Sequence, residues 1–316
     1  MWQVSWTKAV EHATGENIVK KRAAGGKTMQ NIEKQRKSAV AAVRLRPLSS
    51  FGVPPYTRRM EINLVAIAVG NSRVQVASFT SGELLEVHRC DRADPAEVDR
   101  LIKAAWAKSS AVGDAEIAAA SVVPLANSEI DRLVFTHSKQ HVQWVGKDLD
   151  LPIKLATREP TKTGVDRALA AAAAFEQLGK ACVVVDAGTC ITVNLVDDKG
   201  QLVGGTIAPG VALMLRALHE GTASLPDIAY ERPSGNWGTD TTSSIRHGIT
   251  QMIHGLVKEQ AEYWATEQGT WPEVIATGGD APTLFADWEI VHAVSPDLVL
   301  YGIALAYSEH HIRHGS

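Results

Sequence analysis

From residue 61 onward the chain alternates apolar runs with stretches of helical spacing. Residues 62–69 (INLVAIAV) form a nearly continuous apolar run, the signature of a strand buried on both faces. Residues 73–80 (RVQVASFT) partly alternate, and after a Ser81-Gly82 turn residues 84–88 read as a third strand. Residues 97–108 place Val98, Leu101, Ile102 and Ala105 at helical spacing. A strand is expected at 116–121, a helix at 127–138, a strand at 141–145 and an Ala-rich helix at 164–178. The opening pattern then returns. Strands are expected at 181–185, 191–196 and 201–207, with a turn at 197–200. A helix follows Pro209-Gly210, a long one runs from 241 to about 267, a strand covers 274–277 and a last helix covers 298–311. The protein is therefore expected to be mixed α/β.

The recurrence carries the most information. Gly70 and Gly188, 118 residues apart, both end an apolar strand and open a turn with a small hydroxyl residue, Ser72 or Thr189. In both places two further strands follow. Two such units predict a duplicated domain with a cleft between its halves. Each turn could aim backbone N–H groups and a hydroxyl at a phosphate chain, although either turn alone reads equally as an ordinary hairpin. The copies differ at one position. The second strand end carries Asp186 (VVVDAGT), a carboxylate able to hold a cation against phosphates, whereas the first carries Ala68 (VAIAVGNS).

Composition and charge narrow the classes. The chain has 316 residues, 45% of them apolar and 21% charged, enough for a sizeable core. No stretch approaches the roughly 20 uninterrupted apolar residues of a membrane helix. Cys90, Cys182 and Cys190 form no CxxC pair, which excludes a disulfide scaffold and fits a reducing, cytoplasmic setting. The net charge of −3 divides unevenly: residues 1–59 carry 12 basic and 3 acidic residues, and the remainder carries 20 and 32. An acidic body argues against a nucleic-acid surface. The first 59 residues read as a basic, disordered extension without the apolar core of a secretory signal. Halves are expected at 60–180 and 181–316.

At this level the residues resemble the type III pantothenate kinases, members of the acetate kinase, sugar kinase and actin-like superfamily of paired RNase H-like domains. The motifs run in order: AVGNS (68–72), GVDR (164–167), DAGT (186–189), GGTIAPG (204–210), TASLP (222–226), GTDTTSSI (238–245), TGG (277–279) and SPDLVLYG (295–302). The resemblance implies two tandem RNase H-like domains and ATP-dependent phosphorylation of pantothenate, the first step of coenzyme A synthesis. It further implies magnesium, potassium or ammonium, and a homodimer. Asp166 would be the catalytic base. Thr157, Gly164, Val165, Asp166, Arg167 and Thr241 would contact the substrate, with Arg167 suited to the pantothenate carboxylate. Ala68, Val69, Gly70, Asn71, Ser72, Arg73, Val74, Gln75 and Thr189 would meet ATP, Gly204-Gly205 and Pro209-Gly210 would let backbone approach the ligand, and Asp186 would hold the monovalent cation. Without the family context, Asp166-Arg167 also reads as a solvated pair at a helix start, Asp186 as an acceptor for its own turn, and Thr241 as a helix cap.

Three departures stand out. The family's first motif begins with aspartate where Ala68 stands, a loss of electrostatic support on the order of 3 kcal/mol. Thr157 replaces a tyrosine, and Glu159 replaces an asparagine where it would repel a carboxylate unless Arg158 or Lys162 compensates. Two alternatives therefore stand beside the kinase: a catalytically impaired relative that binds nucleotide or a partner, and a kinase for another small hydroxyl compound.

Overall fold

A computed structural model describes residues 62–314; the basic extension expected over residues 1–59 lies outside them. The first half lays down β1 (Asn63–Val69), β2 (Arg73–Thr80), β3 (Glu83–Asp91), α1 (Pro95–Ser109), β4 (Ala115–Ser121), α2 (Asn127–Ser138) and β5 (Gln143–Trp144). These strands form a five-stranded sheet in the order β3-β2-β1-β4-β5, with β1 antiparallel to β2 and parallel to β4. After β6 (Lys154–Leu155) and α3 (Val165–Leu178) come β7 (Cys182–Ala187), β8 (Cys190–Val196), β9 (Gln201–Pro209), α4 (Val211–Glu220), α5 (Thr241–Gln268), β10 (Glu273–Thr277), α6 (Ala281–Leu284), β11 (Ala293–Val294) and α7 (Leu298–His314). The second sheet runs β11-β10-β7-β8-β9-β6. Apart from the two-residue β6 at its edge, it repeats the order of the first, which is the duplication read from the two glycine turns. The expected strand at 201–207 extends to Pro209, and β6, β11 and the four-residue α6 are too short to leave a periodic signal.

Burial on both faces explains why the central strands are apolar throughout. Val65, Ile67 and Val69 of β1 pack outward against Val98, Leu101 and Ile102 of α1 and Ile130 and Val134 of α2. Leu64, Ala66 and Ala68 face inward, against Leu300, Ile303 and Ala304 of α7. The second sheet divides in the same way. Val183 and Val185 meet Ile249, Ile253 and Val257 of α5, while Cys182 and Val184 meet the alanines of α3. α3 and α7 thus form a shared middle layer, one helix on each sheet.

That layer is held close by small residues. Ala168 and Ala170–Ala174 are buried, and a Cβ on Gly302 of α7 would lie 2.4 Å from the carbonyl oxygen of Leu169 on α3. The helices can approach this closely only because residue 302 has no side chain. Elsewhere the ends are conventional: α5 begins in a capping box between Asp240 and Ser243, and α3 stops at Gly179 with φ of 62°.

Gly302→Ala is expected to destabilise the protein by about 1–3 kcal/mol through overpacking. Gly248→Ala, on α5 with open space around its Cβ position, should be neutral or stabilise by up to about 1 kcal/mol. Urea unfolding of the two variants beside the native protein checks both signs.

Candidate active site

The C-terminal ends of β1, β4, β7 and β10 converge on a cleft of about 450 Å³ between the halves. Two turns close its walls. In the first, Gly70 N–H donates to the Arg73 carbonyl (2.9 Å); in the second, Gly188 N–H donates to the Cys190 carbonyl (3.0 Å). The first turn is held from behind by Arg92, whose backbone N–H bonds the Ser72 carbonyl and whose Nε bonds the Asn71 carbonyl, each at 2.9 Å. The turns face one another, with Ser72 Oγ and Thr189 Oγ1 3.0 Å apart. Val165 and Asp166 open α3 at the floor, and Pro296 and Val299 bring the start of α7 beside them. Both middle-layer helices therefore begin at the cleft.

Strand register sets the inward-facing polar groups. Asp186 follows Cys182 and Val184 on the inner face of β7 and pairs with Thr192 of β8. Its carboxylate accepts no hydrogen bond from any described residue, including those of its own turn. Burial first, then the charges of Asp166 and Asp280, push its pKa up to about 7. Asp166 is also raised by burial, partly offset by the Arg167 backbone N–H that donates to its Oδ1 at 2.8 Å. Its side chain belongs to the first turn of α3, where the helix N-terminus favours a carboxylate. Arg167 turns to Asn194, its Nε 2.6 Å from Oδ1, and Asn194 Nδ2 donates to Thr192 Oγ1 at 3.0 Å. This chain ties the start of α3 to the strand beside Asp186.

The structure gathers much of the expected site. Ala68, Val69, Gly70, Asn71, Ser72, Arg73, Gln75, Thr189, Val165, Asp166 and Asp186 all line the cleft. Val74 points into the outer core against α1. Gly164 precedes α3, and its missing Cβ leaves room for the Asp166 carboxylate. Thr157 Oγ1 bonds Thr163 Oγ1 (2.9 Å), and Glu159 pairs with Lys162 (2.7 Å), the compensation that its charge called for. Thr241 is the first residue of α5, with Asp240 as its cap, and lines a separate groove of about 670 Å³ between α4 and α5. Gly204 and Gly205 lie within β9 opposite Leu195 and Asn194, outside the cleft. The expected approach to a ligand does not fit this pair, because Gly205 is required by β8, whose Val193 carbonyl would sit 1.9 Å from a Cβ; Gly210 instead packs on the second turn, its N–H donating to the Thr189 carbonyl (3.0 Å).

Three charged cleft residues were not among those expected. Asp280 follows TGG at the end of β10, and its N–H donates to the Ala187 carbonyl (3.0 Å) beside Asp186. The intervening Gly278 has φ of 91°, and a Cβ there would meet Asp186 Oδ1 at 2.4 Å. Burial raises the pKa of Asp280 and the Arg73 guanidinium opposes that rise. Arg216 of α4 is the second, shared between the cleft and an adjoining cavity of about 540 Å³. Arg89 of β3 is the third; it reaches across the halves to the Asp297 carboxylate. Only TGG offered a sequence signal, since isolated arginines on an edge strand and a helix resemble solvated surface.

The donor set suits hard cations that arrive with a phosphate ligand. Asp186 offers free carboxylate oxygens. Among the described residues, however, no group of three or more His, Cys, Asp or Glu could hold a metal unaided. A cation here would complete its shell with water and ligand oxygens.

Comparison with known proteins agrees with this picture. Residues 64–263 match the family model described as type III pantothenate kinase. A protein of that name from Dehalococcoides mccartyi is 31% identical over 255 residues, 78% of this chain and 98% of its own. Another from Anaeromyxobacter is 30% identical over 251 residues, 77% and 98% of the two chains. A third, from Paracoccus denitrificans, is 40% identical over 164 residues, 52% and 63%. The crystal structure of a conserved putative Baf family transcriptional activator from Campylobacter jejuni superposes with a TM-score of 0.52 at 18% identity, over 78% of this chain and 98% of that one, a likeness of fold.

The raised pKa of Asp186 predicts a pH signature. The native state binds this proton more tightly than the unfolded chain does, so stability falls as pH rises from about 4 to about 7 and is flat beyond. Asp186→Asn removes that loss. Its stability relative to native should grow across this window to at most about 4 kcal/mol and hold above it, measured by urea unfolding without added divalent or potassium ions.

Proposed function

Because the chain belongs to the type III pantothenate kinase family, we propose that it transfers the γ-phosphoryl group of ATP to the primary hydroxyl of pantothenate, opening coenzyme A synthesis. The observation that carries this reading is that Asp166 shares one cleft with both glycine turns.

The opposed turns would take the triphosphate between them. Backbone N–H groups and the hydroxyls of Ser72 and Thr189 suit its oxygens, and Arg73 and Arg216 supply positive charge from opposite walls. Asp166 would stand at the acceptor. As the hydroxyl oxygen bonds to the γ-phosphorus, the bond from phosphorus to the β–γ bridging oxygen breaks, ADP leaves with that electron pair, and Asp166 receives the hydroxyl proton. Burial serves this role by raising its proton affinity. Arg167, one residue away and hydrogen-bonded to Asn194, would meet the pantothenate carboxylate. Magnesium and a monovalent cation, potassium or ammonium, would offset the charge of the triphosphate when bound, and Asp186 would hold the monovalent one.

Three further parts belong to the reading: halves divided near residue 180, from the internal repeat; a cytoplasmic setting, from the cysteine content; and a homodimer, from the family resemblance. Thr241 favours the last. It lies in the α4–α5 groove and not in the cleft, so contact with substrate calls for a second copy.

An ADP-release assay with ATP, pantothenate, magnesium and potassium tests the proposal. Turnover should depend on pantothenate, and Asp166→Asn should lower it by about 10²–10⁴. Absence of pantothenate-dependent turnover above that of Asp166→Asn would reject it.

A further inference from the structure

The two halves differ at the first strand end, and the cleft shows what stands there instead. Ala68 is the register partner of Gln75 on β2, as Asp186 is of Thr192 on β8. Cross-strand partners project to the same side of a sheet with Cβ atoms about 5 Å apart. Here that side is the inner one, because Leu64 and Ala66 of β1 and Ala77 and Phe79 of β2 all pack toward α7. Gln75 therefore brings its amide to the patch of cleft wall left bare by Ala68, and both residues line the cleft.

The amide oxygen is also unsatisfied. Gln75 Oε1 is buried and has no hydrogen-bond partner among the described residues. A buried carbonyl oxygen without a donor is costly, so the cleft leaves this acceptor short of a partner that a bound group could supply. Phosphate oxygens are acceptors themselves and cannot satisfy it, whereas a cation can. Gln carbonyls are hard oxygen donors of the type that bind divalent cations. The surrounding charge fits: Asp166, Asp186 and Asp280 line the same cleft.

We propose that Gln75 Oε1 faces the divalent cation of the bound nucleotide, directly or through one of its waters, and does from β2 what a carboxylate at residue 68 would do from β1. The inference rests on the nucleotide-binding reading of the cleft and adds to it a positioning residue that explains how the site tolerates Ala68. A neutral oxygen in place of a charged one also predicts weaker metal binding than a carboxylate would give.

Mn²⁺ binding to the ADP complex, followed by electron paramagnetic resonance, tests this without reference to turnover. Gln75→Leu, close in volume, should weaken Mn²⁺ about 10-fold or more, in the range found for groups that support a metal site. Gln75→Glu should tighten it several-fold, a gain that a purely structural role for the side chain would not produce. Ala68→Asp in the Gln75→Leu background should recover at least the native affinity. Mn²⁺ affinities of Gln75→Leu and Gln75→Glu both within twofold of native would overturn the proposal, as would failure of the native protein to bind ADP. If the Mn²⁺ series holds while pantothenate is not phosphorylated, the acceptor assignment falls and the role of Gln75 stands.

Discussion

Two sheets of the same order share a single layer of two helices, and the spacing of that layer governs the rest. The backbone of α7 at Gly302 rests on the Leu169 carbonyl of α3, and a run of buried alanines lets α3 lie flat on the second sheet. With the helices at this separation, the strand ends of both halves meet at one place. The turns after β1 and β7 oppose each other across 3.0 Å between hydroxyl oxygens, and the first turns of α3 and α7 complete the cleft. A wider layer would move every one of these elements outward together. The cleft geometry is thus a consequence of side chains that are absent as much as of those present.

The electrostatics of the cleft follow from the same closure. Three aspartates and three arginines line it, yet the carboxylates of Asp166, Asp186 and Asp280 are not each neutralised by an arginine of their own. Arg89 is committed to Asp297. Asp186 is left with a pKa near 7 because it is buried beside like charges. Such a site stores unfavourable charge that a cation relieves, and holds arginines free for an anion. A metal–phosphate ligand satisfies both requirements, which is why the cleft reads as a nucleotide site from its charges as well as from its turns.

Much of this was legible in the residue pattern. The runs at 62–69 and 181–185 announced strands buried on both sides, and the paired glycine turns announced the duplication. Those signals are local, set by side-chain periodicity and turn chemistry. The cleft residues that escaped notice were of another kind. Asp280 is one aspartate in a loop until β10 lies beside β7, and Arg89 and Arg216 become cleft residues only when an edge strand and a helix are brought together. Gly204-Gly205 erred in the opposite sense: a glycine pair looks like an approach to a ligand, but here it makes room for a neighbouring strand.

The amino-acid order by itself therefore determined the class of fold, the doubling of its unit and the family to which the motifs belong. Each follows from interactions within a few residues or from similarity along the chain. Tertiary structure alone decided which oxygens face one another. Ala68 and Gln75 are seven positions apart and become partners only through antiparallel pairing, and Ser72 and Thr189 meet across 117 residues. Charge and hydrogen-bond demand depend on distance in space and on exclusion of water, and neither is set until the two sheets close on their common pair of helices.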